Sequence, residues 1–214
     1  MKKIFKITLV LLNFAFINVI NAQEIKVIDT DFSKGQLKNV QTINYYDLIK
    51  FHGHSCDGLL EGMQALQVGL KELYPDGIID RTNTRVISKP SPCLTDAAIY
   101  ITGGRYQYNS FYVSNDFEGL YIIQRIDNKK TIQVIRNKGV KPMVIDSLGN
   151  LAIEQKLSYE QLQDLRKLEE KYAQFLKATP PNKNFTAKEI KDYNWNPILK
   201  SDFIKTDIIN KNKN

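Results

Sequence analysis

The chain of 214 residues is 43% hydrophobic and 25% charged, and its formal net charge is +7 at pH 7. This length and composition fit one globular domain with a substantial core, and they exclude a fibrous or an intrinsically disordered chain. The basic excess is small and is not gathered into an arginine-rich cluster or a recognisable nucleic-acid module, so we expect no nucleic-acid partner.

The first 22 residues have the pattern of a secretory signal peptide. Lys2, Lys3 and Lys6 precede an apolar stretch over residues 7–20, and cleavage is expected after Ala22. Asparagines interrupt this stretch, which is short for a membrane-spanning helix, and no cysteine stands at the cleavage site for a lipid anchor. We therefore expect export to the periplasm or the exterior, as a soluble protein without a stable membrane anchor.

Residues 23–41 are mostly polar and form an N-terminal segment with one candidate strand at residues 25–28. The main domain is predicted to cover residues 42–157. Thr42 is a candidate N-cap for a short helix that leads into Phe51.

Both histidines of the chain lie in one loop, FHGHSCDG over residues 51–58, together with one of its two cysteines. The other cysteine, Cys93, lies in the segment PCLTD over residues 92–96. If the fold joins these segments, imidazole, thiolate and carboxylate groups meet at one place, which is the composition of a transition-metal site. A disulfide between the two cysteines stays open as an alternative in an exported protein.

A helix is predicted directly after this loop, because apolar side chains recur at intervals of four and three residues. They are Leu59, Met63, Leu66, Leu70 and Leu73. A second edge of the same helix carries small residues, which predict the close approach of another element: Gly58, Gly62, Ala65 and Gly69. The helix start also places the sulfur of Cys56 at a positive dipole end, where a lowered thiol pKa is expected.

The next elements are short strands and one short helix. A strand is predicted at residues 84–88, a helix at 95–101 that ends at Gly103, and strands at 111–113, 120–125 and 131–136. The last two strands are expected to form an antiparallel hairpin, and residues 142–152 to add an edge strand.

The C-terminal part, residues 158–209, is predicted to be a long helix followed by a tail. Ser158 and Gln161 form a capping-box signature, and apolar residues continue at helical spacing up to Pro180. We expect this helix to pack on the domain or on a partner subunit in a homodimer. The tail contains Trp195 and is expected to dock on the domain, while residues 210–214 fray.

The two cysteine-bearing segments, together with TGGR over residues 102–105 and Asn109, resemble the core of the FmdE domain family, which is named after formylmethanofuran dehydrogenase. The resemblance extends over residues 42–136. It implies a single α+β domain with a mixed, largely antiparallel sheet packed by helices, akin to the catalytic domain of glyceraldehyde phosphate dehydrogenase. This agrees with the order of helices and strands predicted above.

The resemblance also implies a bound metal, typically zinc, on His54, Cys56 and Cys93. His52 and Asp96 are then expected to be outer ligands or catalytic groups that handle protons. The ion would keep an open position for a carbonyl-type ligand.

Arg105 and Asn109 are candidates for binding an anionic or carbonyl-bearing small molecule near that site. No cysteine follows Cys93, and a leader precedes the domain, so we do not predict formylmethanofuran chemistry.

Three functional hypotheses follow. The first is an exported FmdE-like metal-binding protein, either a metal-dependent enzyme or a small-molecule binder. The second is a non-catalytic binding or dimerisation module stapled by a disulfide between Cys56 and Cys93. The third is a thiol enzyme in which Cys56 is the nucleophile and His52 or His54 is its base.

Overall fold

The structure is a computed structural model, and it describes residues 24–31, 34–37 and 39–195. The predicted signal peptide and all but the first part of the predicted tail lie outside the described residues. Over the described residues, no helix combines the length and the apolar character that crossing a membrane requires.

The described residues form eight strands and six α-helices. The strands are β1 (Glu24–Ile28), β2 (Gln41–Asn44), β3 (Ile78–Asp80), β4 (Thr84–Ser88), β5 (Phe111–Val113), β6 (Tyr121–Arg125), β7 (Thr131–Arg136) and β8 (Phe185–Ile190). The helices are α1 (Tyr45–His52), α2 (Asp57–Leu73), α3 (Pro92–Thr102), α4 (Met143–Ile153), α5 (Tyr159–Ala178) and α6 (Pro181–Asn184).

The strands form two mixed sheets. The smaller sheet has the order β2-β1-β3, with β1 antiparallel to β2 and parallel to β3. The larger sheet has the order β5-β4-β6-β7-β8, and only the pair of β4 and β5 is parallel. The predicted α+β class with a mixed, largely antiparallel sheet is therefore confirmed, as is the hairpin of β6 and β7.

Helix α2 lies at the centre of the molecule and packs on the larger sheet, on α3 and on α5. Its predicted apolar stripe is buried, and Leu59, Met63 and Leu66 have no exposed surface. Its small residues lie where neighbours come closest. A β-carbon added at Gly69 would lie 2.5 Å from Cγ2 of Val134 on β7, so glycine is required for this contact.

Three helix starts are fixed by side-chain caps. Asn44, and not Thr42 as predicted, is the N-cap of α1, where it forms a capping box with Asp47. Ser158 and Gln161 form the predicted capping box of α5. Cys56 is the N-cap of α2, and its sulfur accepts a hydrogen bond from the backbone N–H of Leu59.

The prediction of an edge strand over residues 142–152 is wrong, because this stretch forms helix α4. Ile145, Leu148 and Ala152 recur at helical spacing and pack against the core, which outweighs the β-branched start of the segment. The edge position is taken instead by β8, which pairs with β7. Little in the sequence indicates β8, since its exposed face is polar and Phe185 is its fully buried residue.

Trp195 lies near the end of the described residues and is buried. The guanidinium carbon of Arg85 on β4 lies 4.4 Å from the centre of its ring, and Tyr112 on β5 meets it edge to face. Its contacts are thus with β4 and β5 of the larger sheet.

We predict that Gly69→Ala lowers the free energy of unfolding by about 1–3 kcal/mol, because the added methyl group overlaps side chains of β6 and β7. Gly149→Ala on α4 is the matched control. A β-carbon there meets nothing within 4 Å, so this change should be neutral or stabilise by up to about 1 kcal/mol. Urea-induced unfolding measures both, and equal effects would contradict the close packing of α2.

Candidate metal centre

Three helix ends meet at the histidine–cysteine loop. His52 is the last residue of α1, Cys56 caps the start of α2, and Cys93 lies in the first turn of α3. Gly53 ends α1 in the left-handed conformation with φ 96°, which lets the chain turn at once toward α2. The two thiols therefore lie at the positive ends of two helix dipoles, which favours their ionised form.

Among the described residues, one ligand atom each from His52, Cys56 and Cys93 lies within 4.8 Å of the other two. The two sulfurs are 3.3 Å apart, and the Cys56 sulfur is 3.7 Å from Nε2 of His52. Two thiolates on one tetrahedral zinc ion would be about 3.8 Å apart, and a thiolate and an imidazole nitrogen about 3.6 Å. The donor set and its spacing thus fit a zinc-type ion after a shift of about 0.5 Å.

Asp96 orients the imidazole of His52. Its Oδ2 is 2.8 Å from Nδ1 of His52, whose side chain is only 5% exposed. When Nδ1 carries the proton and donates a hydrogen bond to this carboxylate, Nε2 faces the cysteines with a free lone pair. A carboxylate behind a histidine in this way is the usual support of a metal-ligating imidazole.

The backbone around Cys56 is held from two sides. The hydroxyl of Tyr45 donates a hydrogen bond of 2.8 Å to the carbonyl oxygen of Cys56 and lies 3.1 Å from Oγ of Ser55. Gly58 leaves room for the second thiol, because a β-carbon there would lie 3.0 Å from the sulfur of Cys93. The small-residue edge of α2 is thus what allows the two sulfurs to approach.

The two thiols have opposite pKa shifts. The hydrogen bond between the sulfurs, helped by the nearby His52, lowers the pKa of the Cys93 thiol to about 6. The same hydrogen bond, together with burial, raises the pKa of the Cys56 thiol. The expectation of a lowered pKa at Cys56 is therefore not met, although the N–H of Leu59 acts in that direction, and the first thiolate to form is that of Cys93.

His54 lies outside this three-residue group. It is exposed, and the centre of its ring is 4.5 Å from that of His52. The imidazole that lies beside the sulfurs is thus that of His52. The family resemblance predicts His52 only as an outer ligand or a catalytic group. A ligand role for His54 stays a prediction.

Arg105 and Asn109 are not brought to the thiols. Cys93 lies at the start of α3 and Arg105 follows its end, so a helix of eleven residues separates them by about 15 Å. The guanidinium of Arg105 donates to the carbonyl of Gly104, and the side-chain oxygen of Asn109 accepts from the hydroxyl of Tyr112. Their predicted ligand-binding role stays a prediction and, if correct, concerns a separate part of the surface.

A buried ionic network lies directly behind Cys56. Asp57 is buried, which raises the pKa of its carboxyl, and the ammonium of Lys141 lies 3.9 Å away and acts against this rise. One turn further along α2, Glu61 accepts hydrogen bonds from Arg136 at 2.7 Å and from Tyr172 at 3.2 Å. This network was not predicted. Its one sign in the sequence is the pair of acids Asp57 and Glu61, one helical turn apart at the start of α2.

We predict that Cys56→Ala raises the pKa of the Cys93 thiol in the metal-free protein, because the hydrogen bond that is the strongest cause of its lowering is lost. Alkylation of Cys93 by iodoacetamide should then be slower at pH 7, since less thiolate is present. Cys93→Ala should act oppositely and lower the pKa of the Cys56 thiol. The alkylation rate as a function of pH measures both, and an unchanged profile of Cys93 in Cys56→Ala would refute the hydrogen bond between the two thiols.

Comparison with known proteins identifies a family whose match includes the residues of this site. None of the curated proteins matches the chain. A family model described as FmdE, Molybdenum formylmethanofuran dehydrogenase operon, matches residues 51–186. The match begins at Phe51 and takes in the histidine–cysteine loop, Cys93 and four of the five strands of the larger sheet, ending just inside β8. More than half of the chain is covered, and the protein therefore belongs to the FmdE family.

Proposed function

We propose that the protein binds one zinc ion, or a similar divalent transition metal, through Cys56, Cys93 and His52, and offers it to a small carbonyl-type molecule. The observation that carries the proposal is the convergence of three ligand atoms within 4.8 Å. Two thiolates and one imidazole are donors that select zinc over magnesium or calcium.

A zinc ion held by three protein ligands acts as a Lewis acid at its remaining position. The residues of this chain supply its support. Asp96 accepts a hydrogen bond from Nδ1 of His52, and the two helix N-termini would stabilise the negative charge of both sulfurs once the ion binds. Asp96 is partly exposed, so it is also the candidate to exchange a proton with a bound molecule.

The position of His54 determines whether the site has three or four protein ligands. If its exposed ring turns onto the ion, four protein ligands close the site, as in structural zinc centres. If it stays beside His52, one position is left for a small molecule. We infer the second arrangement, because the ring of His54 already packs against that of His52.

A second candidate is a disulfide-stapled module. Its support is that the two sulfurs are direct neighbours and that both are free thiols in this structure. In an oxidising compartment, loss of the ion would leave the two thiols ready to close.

We predict one zinc and two free thiols per chain. His52→Gln and Cys93→Ser should weaken metal binding by at least about 100-fold because each removes a ligand, and Asp96→Asn by about 10–100-fold. His54→Gln is the matched control and should keep the metal. Elemental analysis of protein purified without a histidine tag, with a thiol count in denaturant, measures these.

Two outcomes would contradict the proposal. No metal together with no free thiols would establish the disulfide module instead. Loss of metal in His54→Gln with retention in His52→Gln would show that His54 is the ligand.

We also propose that the protein is exported. The support is the leader pattern of three lysines, an apolar stretch and Ala22. Expressed with its own leader in a bacterial host, the protein should appear in the periplasmic fraction with Gln23 as its first residue, as measured by intact mass. A full-length chain in the cytoplasmic fraction would refute this.

A further inference from the structure

The larger sheet has an outer face that points away from α2. On the inner face, Ile123 and Val134 lie against Gly69 of α2. Side chains alternate along a strand and paired residues point the same way, so the residues between these lie on the opposite side. The outer face carries two rows of paired side chains: Arg85, Gln124, Thr131 and Ile190 in the first row, and Tyr112, Ile87, Ile122 and Gln133 in the second.

This outer face is largely buried. Gln124 is 1% exposed, Thr131 0%, Tyr112 5% and Ile122 3%. Neighbours in the same sheet shield such side chains from the sides only, so a further segment must lie over them. Helices α2 and α3 do not supply it, because they pack on the inner face.

The C-terminal segment starts to cross the outer face within the described residues. β8 ends at Ile190 in the first row, and Asp192, with φ 54°, turns the chain. Trp195 then lies over the guanidinium of Arg85 on β4, three strands away from β8. Three strand spacings are about 14 Å, which is within the reach of the residues between. The chain therefore returns over the outer face after β8.

The sequence that follows Trp195 fits the rest of this face. Residues 196–209 lie outside the described residues, and the charges among them cancel, two lysines against two aspartates. A segment tethered at Trp195 has a high effective concentration at the face, which a second copy or a free partner lacks. The apolar residues of this segment come in three pairs: Ile198 and Leu199, Phe203 and Ile204, and Ile208 and Ile209.

We propose that residues 196–209 pack on the outer face of the larger sheet and complete a second apolar core around Ile122. The sheet is then covered on both sides, by α2 and α3 on one and by the C-terminal segment on the other. The two cysteines of the candidate metal centre lie on the helices of the inner side, so the inference does not depend on metal binding.

Photo-crosslinking in the full-length chain tests the position of the segment. Gln133→p-benzoylphenylalanine places the reactive group in the second row, where the side chain is half-buried, and it should attach to a residue between 196 and 209. Lys71→p-benzoylphenylalanine, on the exposed side of α2, is the matched control and should not attach to that segment.

A mixture of isotope-labelled and unlabelled protein identifies the occupant. Attachment within one chain joins peptides that carry the same label. Cross-links that join a labelled to an unlabelled peptide would assign the face to a second copy and overturn the proposal. Attachment that leaves out residues 196–209 would overturn it as well.

Fluorescence of Trp195, the sole tryptophan of the chain, is an independent readout. Phe203→Asp should increase acrylamide quenching at least about twofold, because a carboxylate is not tolerated in an apolar contact and the segment leaves the face. Asn212→Asp adds the same charge beyond the segment and is the matched control, which should leave quenching unchanged. The circular dichroism spectra should be those of the wild type. Unchanged quenching in both Phe203→Asp and Ile204→Asp would contradict the proposal.

Discussion

The close approach that glycine allows along one edge of α2 is the constraint on which the site depends. Gly62 lies where a β-carbon would come within 3.1 Å of Ala97 on α3, and Gly58 faces the sulfur of Cys93. Larger residues at these positions would push α3 away and separate the two thiols. The loss of helix propensity at glycine is therefore offset by what it permits, which is contact between the starts of two helices.

That contact brings two ionisable thiols together, and the surrounding residues partly compensate their negative charge. Two thiols at two helix ends favour negative charge, and the hydrogen bond between them lowers the pKa of the Cys93 thiol to about 6. Behind them, the buried carboxyl of Asp57 would add to this negative charge, but Lys141 lies beside it. A divalent cation between the sulfurs would neutralise the remaining charge, which is a physical reason to expect metal at this position.

Elements that are set by local residue spacing could be predicted from the sequence, whereas those set by tertiary packing could not. The stripe of α2, the capping box of α5 and the hairpin of β6 and β7 depend on spacing and turn chemistry, and they occur as expected. Residues 142–152 differ because a short apolar run fits a strand or a helix, and only its packing decides. At the site, the two segments are predictable, but the imidazole that faces the sulfurs is not. His52 is held there by Asp96, from 44 residues away, so tertiary packing makes this choice.

The same pair of sulfurs can hold a metal or bond to each other, but it cannot do both. A disulfide needs the sulfurs at about 2.05 Å, whereas a tetrahedral metal holds them at about 3.8 Å, and here they are 3.3 Å apart. The observed distance lies nearer to the metal-bound value. Gly58 leaves the space in which the sulfur of Cys93 lies, because a β-carbon there would come within 3.0 Å of it. From the observed arrangement, a metal needs the sulfurs to separate by about 0.5 Å, whereas a disulfide needs them to approach by about 1.3 Å.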